Sequence, residues 1–72
     1  MDSNKVTVIA NNTAEGMSVI DIDIFVGSRN MHIQATRRFI DEINKVPFLN
    51  EEKIKSAITR KYGISKDNIS FR

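Results

Sequence analysis

Two carboxylates in one stretch of this 72-residue sequence could do metal chemistry. Asp21 and Asp23 are two positions apart in segment 18–26, so in an extended strand they share a face and lie about 7 Å apart. That spacing could hold one divalent cation, but such ions take more oxygen ligands than two, and Glu15 is the one other acid nearby. We therefore expect no metal site, and interpret the two acids as surface charges that prevent edge-to-edge aggregation.

The single histidine, His32, is the obvious candidate for a general base. Such a base needs an oriented nucleophile or a carboxylate partner, and Ser28 and Thr36 would lie one helical turn on either side of it. The alternative is a partly buried histidine that bonds a backbone group, and we favour it. We predict no catalytic residue, no cofactor and no small-molecule substrate, because so short a chain has little room for a concave pocket.

Basic side chains accumulate toward the C-terminal end, within a net charge of +2. They support an alternative hypothesis, nucleic-acid binding along the outer faces of two helices, through Arg37, Arg38, Lys53, Arg60 and Lys61. Against it, Asp41 and Glu42 follow the two arginines at i+4 and can pair with them locally. The isoelectric point of about 9.2 is also modest for such a protein.

The elements that position these residues begin with a β-hairpin. Segment 6–10 alternates as a short strand, segment 11–16 is rich in turn-forming residues, and segment 18–26 alternates as a longer strand. The excess length of the second strand predicts pairing with a later strand or with another chain.

Two helices and a short strand are predicted to follow. Apolar residues recur at helical spacing over 31–46, with His32 inside the apolar arc, Ser28 or Asn30 as the cap, and Pro47 ending the helix. A second helix begins after Asn50 and ends at Gly63, and segment 69–71 alternates as a strand. We predict one α+β domain spanning 1–72, of order ββααβ, with an antiparallel sheet of two to three strands covered on one face by two helices.

The alternation in 18–26 assigns side chains to the two sheet faces. The residues of one parity are predicted to meet the helices in a core that comprises Val6, Val8, Ile20, Ile22, Ile24, Val26, Phe39, Ile40, Ile43, Ile54, Ile58 and Tyr62, with Phe48 and Phe71 covering its ends. The other parity places Phe25 on the far face, where exposure of a phenylalanine costs roughly 1.5–3 kcal/mol relative to burial. We predict a partner-binding patch there, formed by Ile9, Val19, Asp21, Asp23 and Phe25.

Length and composition favour self-association. A chain of this size buries only about 60% of its unfolded surface, and without cysteine it cannot add disulfides. We expect a small non-enzymatic interaction or regulatory module that binds a protein partner, a second copy of itself, or both.

The sequence has no apolar stretch of about 18–20 residues and no signal peptide at its start, so we expect a cytoplasmic protein without a membrane partner. Abundant isoleucine, lysine and asparagine beside a single leucine suggest an AT-rich bacterial, phage or plasmid gene.

Overall fold

A four-stranded mixed sheet carries both helices on one of its faces. The computed structural model describes residues 3–72. Its elements in chain order are β1 (Lys5–Thr13), β2 (Gly16–Val26), β3 (Met31–Gln34), α1 (Arg37–Asn44), α2 (Glu51–Tyr62) and β4 (Ile69–Phe71), with single 3-10 turns at Gly27–Arg29 and Lys66–Asn68. The spatial order is β3-β2-β1-β4, in which β4 runs parallel to β1 and the other pairs are antiparallel. The α+β class is confirmed, and the sheet has more strands than predicted and a mixed pairing.

The first helix is much shorter than predicted, because its expected N-terminal part forms β3. Met31–Gln34 pairs with β2, and α1 starts only at Arg37. Thr36, whose backbone is extended, caps α1 by accepting a hydrogen bond from the backbone N–H of Phe39 at 3.2 Å. His32 therefore lies on a strand, and the predicted caps Ser28 and Asn30 belong to the turn before it. Within residues 3–72 neither helix is long and apolar enough to cross a lipid bilayer.

The outer edge of β2 is covered along its whole length. Its last four residues pair with β3, a later strand. The predicted excess length over the first strand disappears, because β1 extends to Thr13 and pairs with β2 along almost its whole length. Beyond the end of β3, the Asn44 side chain accepts from Val19 N at 2.8 Å and donates to Val19 O at 2.9 Å. Next, Met17 N donates to Leu49 O at 2.7 Å. An asparagine amide and a loop carbonyl thus replace a neighbouring strand.

A β-bulge in β2 reverses two of the predicted face assignments. Ile9 pairs with Asp21 and the next residue, Ala10, pairs with Val19, so Ile20 is an extra residue in β2. Val19 is consequently buried in the core, whereas Ile20 is 45% exposed. The prediction was wrong for both, because the bulge interrupts the alternation that the rest of the strand follows.

The core fills the space between the sheet and the helices. Its buried members are Val6, Val8, Val19, Ile22, Ile24, Ile40, Ile43, Leu49, Ile54, Ile58, Ile64 and Ile69. Phe48, predicted to cover the core, is 77% exposed and has a left-handed φ of 52°. Its neighbour Leu49 is buried instead, against Gly16, where an added Cβ would lie only 2.8 Å from Leu49 N. That close approach fixes the hairpin tip against the loop between the helices.

Candidate functional site

The sheet face opposite the helices is the candidate site, and we call it the open face. Cross-strand partners share a face, so the register defines its members. Within residues 3–72 they include Lys5, Thr7, Ile9, Asn11, Ser18, Asp21, Asp23, Phe25, His32, Gln34 and Ser70, and the unpaired bulge residue Ile20 adjoins them. Both helices bury the other face, which carries Val8 and Ile22.

Apolar side chains stand at both ends of the open face. Ile9 is 41% exposed and lies opposite the bulge that carries Ile20. Phe25 is half-buried and pairs with Lys5, about 13 Å along β2 from Asp21. Of the predicted patch, the structure brings together Ile9, Asp21, Asp23 and Phe25, and it removes Val19 to the core. Sequence reasoning missed Ile20, because strict alternation assigns it to the core.

Asp23, His32 and Phe25 form a connected group on this face. His32 Nδ1 lies 2.8 Å from Asp23 Oδ2, and the imidazole ring lies 5.0 Å from the Phe25 ring, tilted by 52°. The contact follows from the ladder, since His32 pairs directly with Phe25 and diagonally with Asp23. With a neutral imidazole, Nδ1–H donates to the carboxylate. Assignment of His32 to a helix concealed this pair from sequence reasoning.

The two carboxylates serve different partners. Asp21 Oδ1 accepts a hydrogen bond from Ile22 N at 2.9 Å, so this side chain satisfies the backbone of its own strand. Asp23 is engaged by His32. Among residues 3–72 there is no group of three or more His, Cys, Asp and Glu side chains placed to hold a metal ion.

The Asp23–His32 pair has the composition of a catalytic dyad, but it lies on open surface. The His32 side chain is 65% exposed. Elsewhere in residues 3–72, a groove of about 490 Å³ lies between the hairpin tip and segment 46–49, and another of about 440 Å³ lies at the start of α1. His32 lines neither of them. A substrate held by this pair would therefore lie outside both of these grooves.

The basic side chains of the nucleic-acid hypothesis are largely engaged with the protein itself. Arg37 lies 3.9 Å from Asp41, and Lys53 Nζ donates to Pro47 O at 2.9 Å and to Phe48 O at 3.3 Å. The Lys61 ammonium lies 5.5 Å from the Phe39 ring centroid. Arg38 shares the groove at the start of α1 with Lys61 and with the acidic Glu42, and Arg60 is exposed on α2.

The shifted pKa values belong to α2 and not to the open face. A hydrogen bond and the positive charge of Lys66 lower the pKa of Glu52. Partial burial raises the pKa of Tyr62, whose ring meets the Phe39 ring edge-on at 5.5 Å. The first contact joins α2 to the Lys66–Asn68 turn, and the second joins α2 to α1.

Comparison of the chain with protein-family models, with curated proteins and with solved structures returned no match. We therefore argue function from the geometry of the open face.

Proposed function

We propose that this protein is a non-enzymatic interaction module that binds a protein partner through the open face. One observation carries the proposal: two isoleucines are exposed on the two central strands of the sheet, Ile9 on β1 and Ile20 in the bulge of β2 opposite it. Exposed apolar groups with a polar surround are typical of protein-binding surfaces. In this proposal the partner supplies the cover that the open face lacks.

The charges of the open face indicate the chemistry of that partner. Asp21 and Asp23 lie between the isoleucines and Phe25, and a carboxylate can accept several hydrogen bonds. Both therefore retain acceptor capacity beyond their contacts with Ile22 N and His32. A segment with apolar side chains flanked by arginine or lysine satisfies both the apolar and the acidic parts of the face.

The Asp23–His32 pair has a positioning role in this proposal. The hydrogen bond holds the imidazole 5.0 Å from the half-buried Phe25 ring. A flat, rigid aromatic surface at the edge of an interface loses little side-chain entropy on binding.

The experiment compares captured partners between matched variants. Wild type, the double variant Ile9→Asp with Ile20→Asp, and the control Phe48→Asp are immobilised and exposed to extract from the native host. Phe48 is a suitable control because it is an exposed apolar residue on the loop between the helices.

We expect a protein that wild type and the control retain and the double variant loses. Circular dichroism and thermal unfolding establish that all three baits are folded. Identical capture by wild type and by the double variant would refute binding through the open face.

A further inference from the structure

Within residues 3–72, no further strand pairs with the outer edge of β3. β3 is the terminal strand of the sheet, and Ala35 N donates to Ile22 O at 3.0 Å, which fixes the orientation of the ladder. Since backbone groups alternate in direction along a strand, Met31 and Ile33 point theirs toward β2. His32 and Gln34 point theirs outward, away from the described sheet.

This edge lacks the features that protect edge strands from pairing. Lysine, proline, β-bulges and covering loops are the usual protection. Segment 31–35 contains no formally charged residue and no proline, and its pairing with β2 is regular. The outer edge of β2, in contrast, is closed by β3, Asn44 and Leu49.

We propose that β3 pairs antiparallel with β3 of a second copy of this chain, about a two-fold axis at Ile33. In that register His32 of each copy lies opposite Gln34 of the other copy. The N–H of each residue donates to the C=O of the residue opposite, so all four outward pairs of groups are satisfied. Registers centred on His32 or on Gln34 leave some of these groups unpaired or require Asn30, whose N–H already donates to Gly27 O.

The side chains are self-complementary in the same register. Ile33 meets Ile33 of the second copy, and Met31 meets Ala35, on the face that carries the helices. Ile33 is 45% exposed and Met31 41% exposed, although both lie on the core side of the sheet. A second copy supplies the cover that α1 and α2 do not.

The helices leave room for this pairing. α1 makes its main sheet contacts with β2. The β2 strands of the two copies would be separated by three strand spacings, about 14 Å. Packed helices need only about 8–10 Å between their axes, so the two copies of α1 do not collide. The open face stays exposed in the dimer, so this proposal does not depend on the proposed function.

Sedimentation equilibrium between about 10 µM and 1 mM, with amide hydrogen exchange on the same samples, tests the pairing. Wild type is expected to dimerise, with concentration-dependent protection of the His32 and Gln34 amides. Ile33→Lys is expected to raise the dimer Kd by at least about 25-fold, because the change occurs twice and each lost burial contributes roughly fivefold. Ile20→Lys is the matched control, since Ile20 is equally exposed but lies on the open face.

Gln34→Pro is a second variant that spares the fold, since it removes only an outward N–H. It should also abolish dimerisation while thermal unfolding remains cooperative. A wild type that is monomeric at every concentration overturns the proposal. A dimer that persists in both Ile33→Lys and Gln34→Pro also overturns it. The same holds for a dimer that dissociates in the control Ile20→Lys and not in the β3 variants. Loss of partner capture in the Ile9 and Ile20 double variant with an intact dimer would separate the two functions.

Discussion

Asn44 joins the C-terminal end of α1 to the bulged part of β2, and its replacement by alanine should destabilise the fold strongly. Its amide oxygen accepts from Val19 N at 2.8 Å and its amide nitrogen donates to Val19 O at 2.9 Å. Val19 itself is 3% exposed, but both hydrogen bonds are only part-buried, so water has partial access to the backbone groups that the substitution would leave unpaired.

The expected loss is about 2 kcal/mol in the free energy of unfolding. A buried backbone group left without a partner costs about 1–3 kcal/mol, and two such groups are affected here. Partial access of water to this edge favours the lower end, and alanine returns roughly 0.5 kcal/mol through its higher helix propensity. A domain of this length has a free energy of unfolding of about 4–11 kcal/mol, so the two Asn44–Val19 hydrogen bonds account for a large share of the total stability.

Urea denaturation followed by circular dichroism measures the effect. With an m-value near 1 kcal/mol/M for so small a protein, the midpoint of Asn44→Ala should fall by roughly 2 M. Glu42→Ala is the control, because Glu42 is an exposed residue of the same helix. The Val19 amide should also exchange faster in Asn44→Ala alone. Equal midpoints for the two variants would show that Asn44 does not hold β2.

Three further predictions concern other parts of the molecule. Burial raises the pKa of Tyr62 above its usual value of about 10, so its contribution to stability is intact below that pH and is lost as pH rises through the raised folded-state pKa. The urea midpoint should fall in this alkaline range for wild type and fall less for Tyr62→Phe. Phe48→Asn should raise the unfolding free energy by about 0.5–1 kcal/mol and Phe48→Val should lower it, because φ is 52° and asparagine tolerates left-handed backbone. If the helical face binds nucleic acid, fluorescence anisotropy will show micromolar affinity that falls with salt and weakens in Arg60→Glu. We expect no such binding, because Lys53 and Lys61 have partners within the chain.

The parts of the fold that sequence predicted well are those with one consistent period. Ile22 and Ile24 alternate without interruption and lie in the core, as predicted. The second helix was also predicted closely, because Asn50 accepts from Lys53 N at its start and Gly63 adopts a left-handed φ of 71° at its end. In these places local chemistry and tertiary packing favour the same structure.

The errors occurred where two patterns fit the same residues. Met31 and Ile33 alternate like a strand, but Ile33 also lies at the margin of the helical stripe around His32. A four-residue strand is too short for its period to decide. Tertiary pairing with Phe25 and its neighbours decided instead, which no local pattern records. The candidate site was the part predicted least well, because His32 contacts Asp23 only when β3 pairs with β2.

The bulge at Ile20 connects the fold to the proposed function. Without this residue, Val19 would directly precede Asp21, and the two side chains would alternate between the faces of the sheet. Ile9 and Ala10 would keep their partners, and Asn44 would still bond Val19. Deletion of Ile20 should therefore leave a regular hairpin of equal or higher stability and remove about half of the exposed aliphatic surface of the open face. Measured together, an unchanged urea midpoint and lost partner capture would identify the bulge as a binding device. A large loss of stability would instead show that the fold needs Ile20 for its own packing, and would remove the main support for the open face as an interface.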